Sequence, residues 1–413
     1  MKKLFLILAC SSLGIMGLNA QVQLVKEVEK DLAGATDYPA LREKLKPAFE
    51  NEESKNDAYT WFVAAKIEMQ NYDDMYKVRI VNPAGADISK MGAALLDGYD
   101  YMKKALPLDS VPEKDKKTGE IKLDKKTGQP KIKAKYSGKI VNIMAENYNA
   151  LNMIVGDLHN GKEYKNAVRA YELCASLPFE PYMKGKMSQP ADTIVGELRF
   201  YQGVALWQDD NPGDAIGAFA QARKLGYTKK EAYDYPLNCA AQVRDEKMIA
   251  EIAKEALPVY GKQDSQYVRI LINAYLNEKN YDEANKILDQ AINDDPQNAE
   301  FVNLKGNLVE NQSSIEEALP YFKQAVDLDP TYSKAYFDLG RYYFNKAIKV
   351  RDENVDLIGD ALDAKVNPLY EQALPYLEKA YELDKENLDA KNALRSIYYQ
   401  LGNEEKLNAI ENQ

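Results

Sequence analysis

The sequence predicts an all-α fold, an α-solenoid built from helical hairpins, because small residues and prolines recur with a period of 34 residues. The recurrence is clearest in the C-terminal half, where three anchor residues shift by one period: Ala284 to Ala318, Ala291 to Ala325, and Pro296 to Pro330. Two antiparallel helices joined by a short turn approach closely only where facing positions carry glycine or alanine. A fixed period of this length is typical of stacked helical hairpins.

Within one period the apolar residues follow helical spacing. Ala318, Phe322 and Ala325 lie three or four positions apart, as expected for one face of a helix. Pro330 cannot continue that helix and marks its end. Each period therefore contains two helices, of which the second ends before a proline.

These motifs resemble those of the tetratricopeptide repeat (TPR) family. Tyr336-x-x-Leu339-Gly340-x-x-Tyr343 resembles the first-helix signature, with Tyr in place of the usual Trp, and Ala318-x-x-x-Phe322 resembles the second. The resemblance covers residues 56–410 and is firm from residue 196. It implies a right-handed superhelix of helical hairpins, in an exported TPR protein of a Gram-negative bacterium.

The repeat register divides the chain. The predicted segments are a signal peptide at 1–20, an N-terminal capping helix pair at 21–55, an elaborated hairpin at 56–109, a lysine-rich insert at 110–141, degenerate hairpins at 142–264, the best-matching units at 265–384 (starting at 265, 299 and 333) and a C-terminal capping hairpin at 385–413. The hairpin at 56–109 and the unit starting at 333 each contain 21 residues more than the period requires. Since no Gly/Ser/Pro-rich linker interrupts the register, we expect one elongated array.

The lysine-rich insert, residues 110–141, breaks the helical pattern. Ten lysines and four acidic residues lie between Ser110 and Lys139, and the motif Asp-Lys-Lys-Thr-Gly occurs at 115–119 and again at 124–128. Each copy is typical of a turn that ends in a left-handed glycine. The alternation of apolar and charged residues around the turns predicts a small β-meander or hairpin, with a flexible loop as the alternative.

Residues 1–20 predict a cleavable export signal, because Lys2 and Lys3 precede the apolar stretch 4–18 and Ala20 supplies a small terminal residue. A lipoprotein signal at Cys10 is the alternative, although its apolar core would be short. No later stretch has the ~20 uninterrupted apolar residues of a membrane-spanning helix. We therefore expect an exported protein without a membrane span. The periplasm is the expected location, and secretion or association with the outer membrane are the alternatives.

Composition argues against several classes of function. Without the two signal lysines the chain carries 52 basic and 64 acidic residues, which disfavours nucleic-acid binding. His159 is the only histidine, and the repeat register places it in an exposed turn, so a histidine-dependent catalytic set is disfavoured. No Cys/His set has zinc spacing and no Gly-rich loop could hold a phosphate, so we expect no enzyme, no cofactor and no metal. Cys174 and Cys239 are interpreted as buried free thiols.

The TPR resemblance implies a protein or peptide partner, bound on a concave face lined by first-helix positions 2, 5, 9 and 12. In the three best units these positions hold six candidate groove residues: Arg269, Asn273, Asn303, Asn307, Lys334 and Arg341. The set is similar to the carboxylate clamp of TPR co-chaperones, which favours an acidic or C-terminal peptide. Asp338 departs from that clamp and would repel a carboxylate. The other interpretation is an ordinary solvated face on which Arg341 and Lys334 pair with Asp338 and Glu300.

The function predicted from the sequence is thus a non-enzymatic periplasmic or secreted TPR scaffold for protein–protein binding. Two alternatives remain open. One is a glycan-binding helical protein of an outer-membrane uptake system, and the other is a structural subunit of an envelope complex. The identity of the partner and the oligomeric state are not encoded in a recognisable motif.

Cleavage of the signal is the first testable prediction. We expect the exported protein to begin at Gln21, because the charged start, the apolar core and Ala20 match a signal-peptidase site. Intact mass measurement or N-terminal sequencing of the exported protein checks this. A lipidated Cys10 at the mature terminus would show that the processing assignment is wrong.

Overall fold

The computed structural model describes residues 21–115, 118–125 and 127–412, and the predicted signal peptide lies outside the described residues. That part of the chain contains nineteen α-helices and a small antiparallel sheet, so the predicted all-α fold is confirmed. The chain divides into two compact units, of which unit 1 ends at Cys239 and unit 2 begins at Ala240. The division falls inside a helix, and the sequence did not predict it because no linker marks it.

The helices of unit 1 are α1 (residues 21–31), α2 (Tyr38–Glu50), α3 (Ala58–Val81), α4 (Ile88–Asp109), α5 (Ser137–Glu146), α6 (Tyr148–Asn160), α7 (Tyr164–Ser176), α8 (Asp192–Gln208), α9 (Pro212–Lys224) and the first part of α10 (Glu231–Gln242). The strands β1 (Val111–Pro112) and β2 (Ile132–Lys133) lie between α4 and α5. The helices of unit 2, after the end of α10, are α11 (Glu246–Tyr260), α12 (Gln266–Asn277), α13 (Tyr281–Asp294), α14 (Ala299–Gln312), α15 (Ile315–Leu328), α16 (Ser333–Asp352), α17 (Asp360–Leu383), α18 (Leu388–Gln400) and α19 (Glu404–Glu411).

Paired helices pack closely at the small-residue positions that the repeat predicts. A Cβ added at Gly306 of α14 would lie 2.5 Å from a ring carbon of Phe322 on α15, and one at Gly203 of α8 would lie 2.8 Å from the Phe219 ring on α9. Ala318 and the Phe322 side chain are fully buried. The hairpin geometry therefore depends on a missing side chain on one helix and a large apolar side chain on the other.

Two hairpins are longer than the rest. Helices α3 and α4 have 24 and 22 residues, and α16 and α17 have 20 and 24, whereas α14 and α15 have 14 each. The 21 additional residues of each hairpin mainly lengthen its two helices. Gly98 packs against Met69 in the first long hairpin and Gly340 against Leu377 in the second, so the contact of small and large residues is retained.

Among the described residues, five short turns that join the two helices of one hairpin share one backbone geometry. Each has a residue with positive φ, which is Lys162, Asp210, Arg244 or Lys279 in four of them and Gly402 in the last. The next residue donates its N–H to a carbonyl five positions earlier, as from Asn280 to Tyr275 (2.8 Å) and from Asn403 to Tyr398 (2.8 Å). This satisfies a terminal carbonyl of the first helix and reverses the chain within a short turn. Four of the five turns accept the cost of a side chain in the left-handed region.

The lysine-rich insert is a β-meander, as predicted. Gly119 and Gly128 have φ values of 74° and 69° at the ends of the two repeated turns. Strand β1 pairs with β2, and a triangle of backbone hydrogen bonds of 2.7 Å joins its three segments, from Glu113 N–H to Lys131, from Lys131 N–H to Lys122, and from Lys122 N–H to Glu113. Each of these three residues lies nine positions after the one before it, which is also the distance between the two Asp-Lys-Lys-Thr-Gly motifs. The repeat in the sequence therefore corresponds to a repeat of three segments in the structure. The β-structure ends earlier than predicted, because α5 begins inside the range assigned to the insert.

Asp109 anchors both ends of the insert. This nearly buried carboxylate at the end of α4 accepts hydrogen bonds from the backbone N–H of Lys135 (3.0 Å), Tyr136 (2.7 Å) and Ser137 (2.6 Å) and from the Ser137 hydroxyl (2.7 Å). Burial opposes ionisation of Asp109, but these hydrogen bonds outweigh it and lower its pKa. The ionised carboxylate thus holds the start of α5 against the end of α4.

The C-terminal hairpin differs from several others at one packing position. Arg395 stands where the units of α8, α14 and α16 have Gly203, Gly306 and Gly340, and it pairs with Glu411 at 3.2 Å on an exposed surface. Because both side chains are about half exposed, this position accommodates a long polar side chain without burying its charge.

Substitutions on α15 test the packing register. We expect Ala318→Leu to lower the free energy of unfolding by about 1–3 kcal/mol, because it overfills a fully buried contact. Lys323→Leu, on an exposed position of the same helix, should change stability by less than about 0.5 kcal/mol. Thermal or urea denaturation of both variants gives the comparison. The reverse order of stabilities would show that the assigned register is wrong.

Candidate functional site

The six candidate groove residues lie in unit 2 on three successive first helices. Arg269 and Asn273 lie on α12, Asn303 and Asn307 on α14, and Lys334 and Arg341 on α16. The structure gives four of them polar partners and leaves the side chains of Asn273 and Lys334 exposed. Neither Asn273 nor Lys334 has a hydrogen-bond or ion-pair partner in the described part of the chain.

Asp338 on α16 is the centre of the polar contacts between α14 and α16. Its carboxylate is 4% exposed and accepts hydrogen bonds from Asn303 (2.8 Å) and Asn307 (3.3 Å). It also accepts two bonds of 3.3 Å from the guanidinium of Arg341, one helical turn away. Asp338 departs from the clamp pattern. It is the common hydrogen-bond acceptor of three candidate residues, Asn303, Asn307 and Arg341.

Both arginines of the candidate groove also pair with glutamates of α14. Arg341 donates two hydrogen bonds to Glu310, at 2.8 and 2.6 Å, and Arg269 donates one of 2.8 Å to Glu300. The hydrogen bonds to Glu310 are the main reason that the pKa of Arg341 is raised, which keeps its charge in place. Glu300 also accepts a hydrogen bond from the Ser265 hydroxyl. A peptide carboxylate bound by either arginine would have to compete with these internal partners.

A cleft between α16 and α18 adjoins this network. One part, of about 260 Å³, is lined by Arg341 together with Phe337, Phe344, Asn345, Asp389, Asn392, Ala393 and Ser396. A second part, of about 690 Å³, shares Phe344, Asn392 and Ser396 with the first and extends along Ile348, Arg351, Tyr370, Arg395, Tyr399, Gln400, Leu407 and Glu411. Tyr399 in this second part is 78% exposed. Phe337, Arg341 and Phe344 occupy groove positions 5, 9 and 12 of the unit that starts at 333. Sequence reasoning missed this cleft because it selected charged and amide side chains of three units, whereas Phe337 and Phe344 are apolar and α18 belongs to the capping hairpin.

Asn273 lies in a different cleft of unit 2, between α11 and α12. That cleft has a volume of about 630 Å³ and is lined mainly by apolar side chains and stems, including Ile249, Ile270 and Tyr275. Asn273 is thus separated from the hydrogen-bonded network around Asp338. The six candidate residues do not form one connected set.

The structure corrects the expected surroundings of His159. It lies in the last turn of α6 and is half-buried among Tyr164, Tyr171 and Tyr201, with ring centroids 5.9, 5.9 and 6.4 Å away. Tyr171 Oη lies 3.3 Å from Nδ1. Burial lowers the pKa of His159, because the aromatic side chains replace the water that would solvate an imidazolium. The next hairpin, formed by α8 and α9, covers this turn with Tyr201. The repeat register of a single unit does not show such a contact between hairpins.

Cys174 and Cys239 are buried and free. Burial raises the pKa of Cys174 to about 12 and that of Cys239 to about 11, so both are held as thiols. In the described part of the chain, no three His, Cys, Asp or Glu side chains are grouped as metal ligands. Likewise, no helix described by the structure is both long and apolar enough to cross a bilayer.

Stacked hairpins that pack through small residues, with a polar face along the first helices, define a helical-repeat protein. The family model described as tetratricopeptide repeat matches residues 271–333, which extend from α12 to the start of α16. Residues 271–333 therefore carry tetratricopeptide-repeat sequence. No curated protein matches the sequence.

Solved structures similar to this chain include several TPR proteins. YrrB, a TPR protein with an unusual peptide-binding site, is 18% identical, and the match covers 52% of this chain and 98% of YrrB with a TM-score of 0.33. A thermophilic TPR protein of Thermus thermophilus, TTC0263, is 17% identical, with coverages of 49% and 99% and a TM-score of 0.33. PilF of Pseudomonas aeruginosa is 12% identical, with coverages of 54% and 90% and a TM-score of 0.37. At these values no function is transferred from them.

Replacement of Asp338 tests the polar network. We expect Asp338→Ala to lower the free energy of unfolding by about 1–3 kcal/mol, because the buried amide of Asn303 loses its acceptor. The loss should not reach the roughly 3–5 kcal/mol of a stranded buried charge, since Arg341 retains Glu310. Urea denaturation measures the change. Glu353→Ala, at the exposed end of α16, is the control of equal charge, and an equal effect of both substitutions would contradict the structural role of Asp338.

Proposed function

We propose that this protein is an exported, non-enzymatic TPR scaffold that binds a segment of a partner protein on the first-helix face of unit 2. Export is supported by the signal-like sequence of residues 1–20. A binding role is supported by the repeat fold, whose first helices present a row of side chains to a ligand. The periplasm is the compartment that fits both features.

The observation that carries this proposal is the cleft between α16 and α18. Its walls combine the aromatic rings of Phe337, Phe344 and Tyr399 with the polar groups of Asn345 and Asn392. Aromatic walls with a few polar groups are typical of sites that hold an apolar side chain and hydrogen-bond the adjoining peptide backbone. The ligand that fits best is therefore a peptide segment with an apolar anchor residue.

The internal ion pairs affect the type of peptide preferred. In the carboxylate-clamp hypothesis, Arg269, Lys334 and Arg341 bind a terminal carboxylate with help from the asparagines. Glu300, Glu310 and Asp338 supply as many negative charges as these three residues supply positive ones. The proposed site therefore selects for the apolar anchor, and a free C-terminus contributes only where Lys334 contacts it.

Binding of a peptide library to the full mature protein tests this proposal. We expect Ser396→Trp to raise the dissociation constants of the selected peptides by roughly tenfold or more, because the indole fills both parts of the cleft. Asn408→Trp adds the same bulk on an exposed position of α19 outside the cleft and should leave affinity unchanged. Fluorescence anisotropy with labelled peptides provides the dissociation constants.

Paired peptides with free and amidated C-termini separate the two binding modes. Similar affinities for both forms, unaffected by Arg269→Ala or Lys334→Ala, would support the apolar anchor and exclude the carboxylate clamp. A strong preference for the free acid that is lost in both variants would support the clamp instead. Binding that survives Ser396→Trp unchanged would place the site elsewhere and contradict the proposal.

A further inference from the structure

The lysine-rich insert has two chemically different faces. Side chains alternate between the faces of a strand, and paired residues on neighbouring strands share a face. The pairs Lys114 with Ile121, Leu123 with Pro130, and Pro112 with Ile132 therefore define one face, called here the apolar face: Pro112, Lys114, Ile121, Leu123, Pro130 and Ile132. The opposite face holds Glu113 between Lys122 (3.0 Å) and Lys131 (3.5 Å).

The apolar face is open to solvent. Ile121 and Ile132 are each 48% exposed and Leu123 is 58% exposed. None of them belongs to the hydrophobic core of unit 1 against which the neighbouring Tyr136 packs. Exposed aliphatic side chains that adjoin one another mark a contact surface more often than isolated ones do.

The charge of the insert indicates an anionic contact. Ten lysines against four acidic residues between Ser110 and Lys139 contrast with the acidic remainder of the mature chain. Lys114 is exposed on the apolar face and Lys125 is exposed in the turn that follows Leu123, whereas Glu113 on the opposite face is already neutralised by two lysines. A surface that approaches the insert therefore meets aliphatic groups surrounded by positive charge.

Composition distinguishes a lipid surface from an acidic protein. Protein interfaces are enriched in arginine and depleted in lysine. Residues 110–135 contain no arginine, and all their basic residues are lysines. Lysines around short aliphatic side chains match the boundary of an anionic bilayer, where the ammonium groups reach the headgroups and the aliphatic groups enter the acyl boundary.

We propose that the lysine-rich insert is a membrane-surface contact, which binds bilayers that contain anionic phospholipid through its apolar face and surrounding lysines. The insert lies on the bilayer without crossing it, since the aliphatic side chains that reach the lipid belong to short strands. The anchoring of both insert ends by Asp109 fixes the sheet to the ends of α4 and α5, so that lipid contact also orients unit 1.

Vesicle flotation of the full mature protein tests this inference. The probes are vesicles of phosphatidylcholine alone and of phosphatidylcholine with phosphatidylglycerol. We expect binding only to the anionic vesicles, weakened by salt because the lysines contribute through screened electrostatics. Ile121→Ser with Leu123→Ser, and separately Lys114→Gln with Lys125→Gln, should each reduce the partition coefficient by roughly tenfold or more.

Matched variants control for charge and exposed apolar groups. Lys247→Gln with Lys286→Gln removes two exposed lysines of unit 2, and Val355→Ser with Ile358→Ser removes two exposed aliphatic residues of the turn between α16 and α17. Both control pairs should bind anionic vesicles as the unmodified protein does. Circular dichroism and melting temperature should be unchanged in all four double variants, since every substituted side chain is exposed.

Three results would overturn the inference. They are the absence of binding to anionic vesicles, equal losses in the insert variants and the controls, and insert-dependent binding of polyglutamate without any binding of vesicles. The last result would assign the insert to an acidic protein partner.

Discussion

The close approach of two helices at a position without a side chain is the contact on which the other features of this protein depend. At Gly306 and Gly203 there is no room for a Cβ, because an aromatic ring of the partner helix occupies that space. The ring is buried only if the helices are near, and the helices are near only if the facing residue is small. Each hairpin then presents its two remaining faces to its neighbours, and the polar residues of the first helices come to lie in a row.

This contact explains how much of the fold could be predicted from the sequence. Gly340 and Leu377 are 37 positions apart, yet their pairing follows from the same rule as the shorter pairs, and so the long hairpin could be recognised. The left-handed turn residues could not, because Lys279 and Asp210 carry no signal of positive φ and are held there by the helices they connect. The half-buried position of His159 depends on a neighbouring hairpin, which a repeat consensus does not describe.

The sequence predicted which helices carry the candidate residues, but not which side chains inside the protein already bind them. The repeat register placed Asn303, Asn307 and Arg341 on adjacent first helices, and the structure joins them at Asp338. The glutamates of the arginine ion pairs, Glu300 and Glu310, occupy groove positions 2 and 12 of the unit that starts at 299, so the same row of positions carries both signs of charge. The repeat register shows which helix carries a charged side chain. Whether that charge is neutralised depends on whether a side chain of opposite charge on a neighbouring helix can contact it. The α16–α18 cleft was missed because its groove-position side chains Phe337 and Phe344 are apolar and its other wall, α18, belongs to the capping hairpin.

The anchoring of the insert by Asp109 has a consequence for how such a protein changes over evolutionary time. One carboxylate binds the backbone of three successive residues, so the two points at which the insert leaves and rejoins the helices are held together independently of what lies between them. The intervening segment can therefore change in length or sequence without a change in the path of α4 or α5. This junction tolerates insertion while the helical stack stays the same.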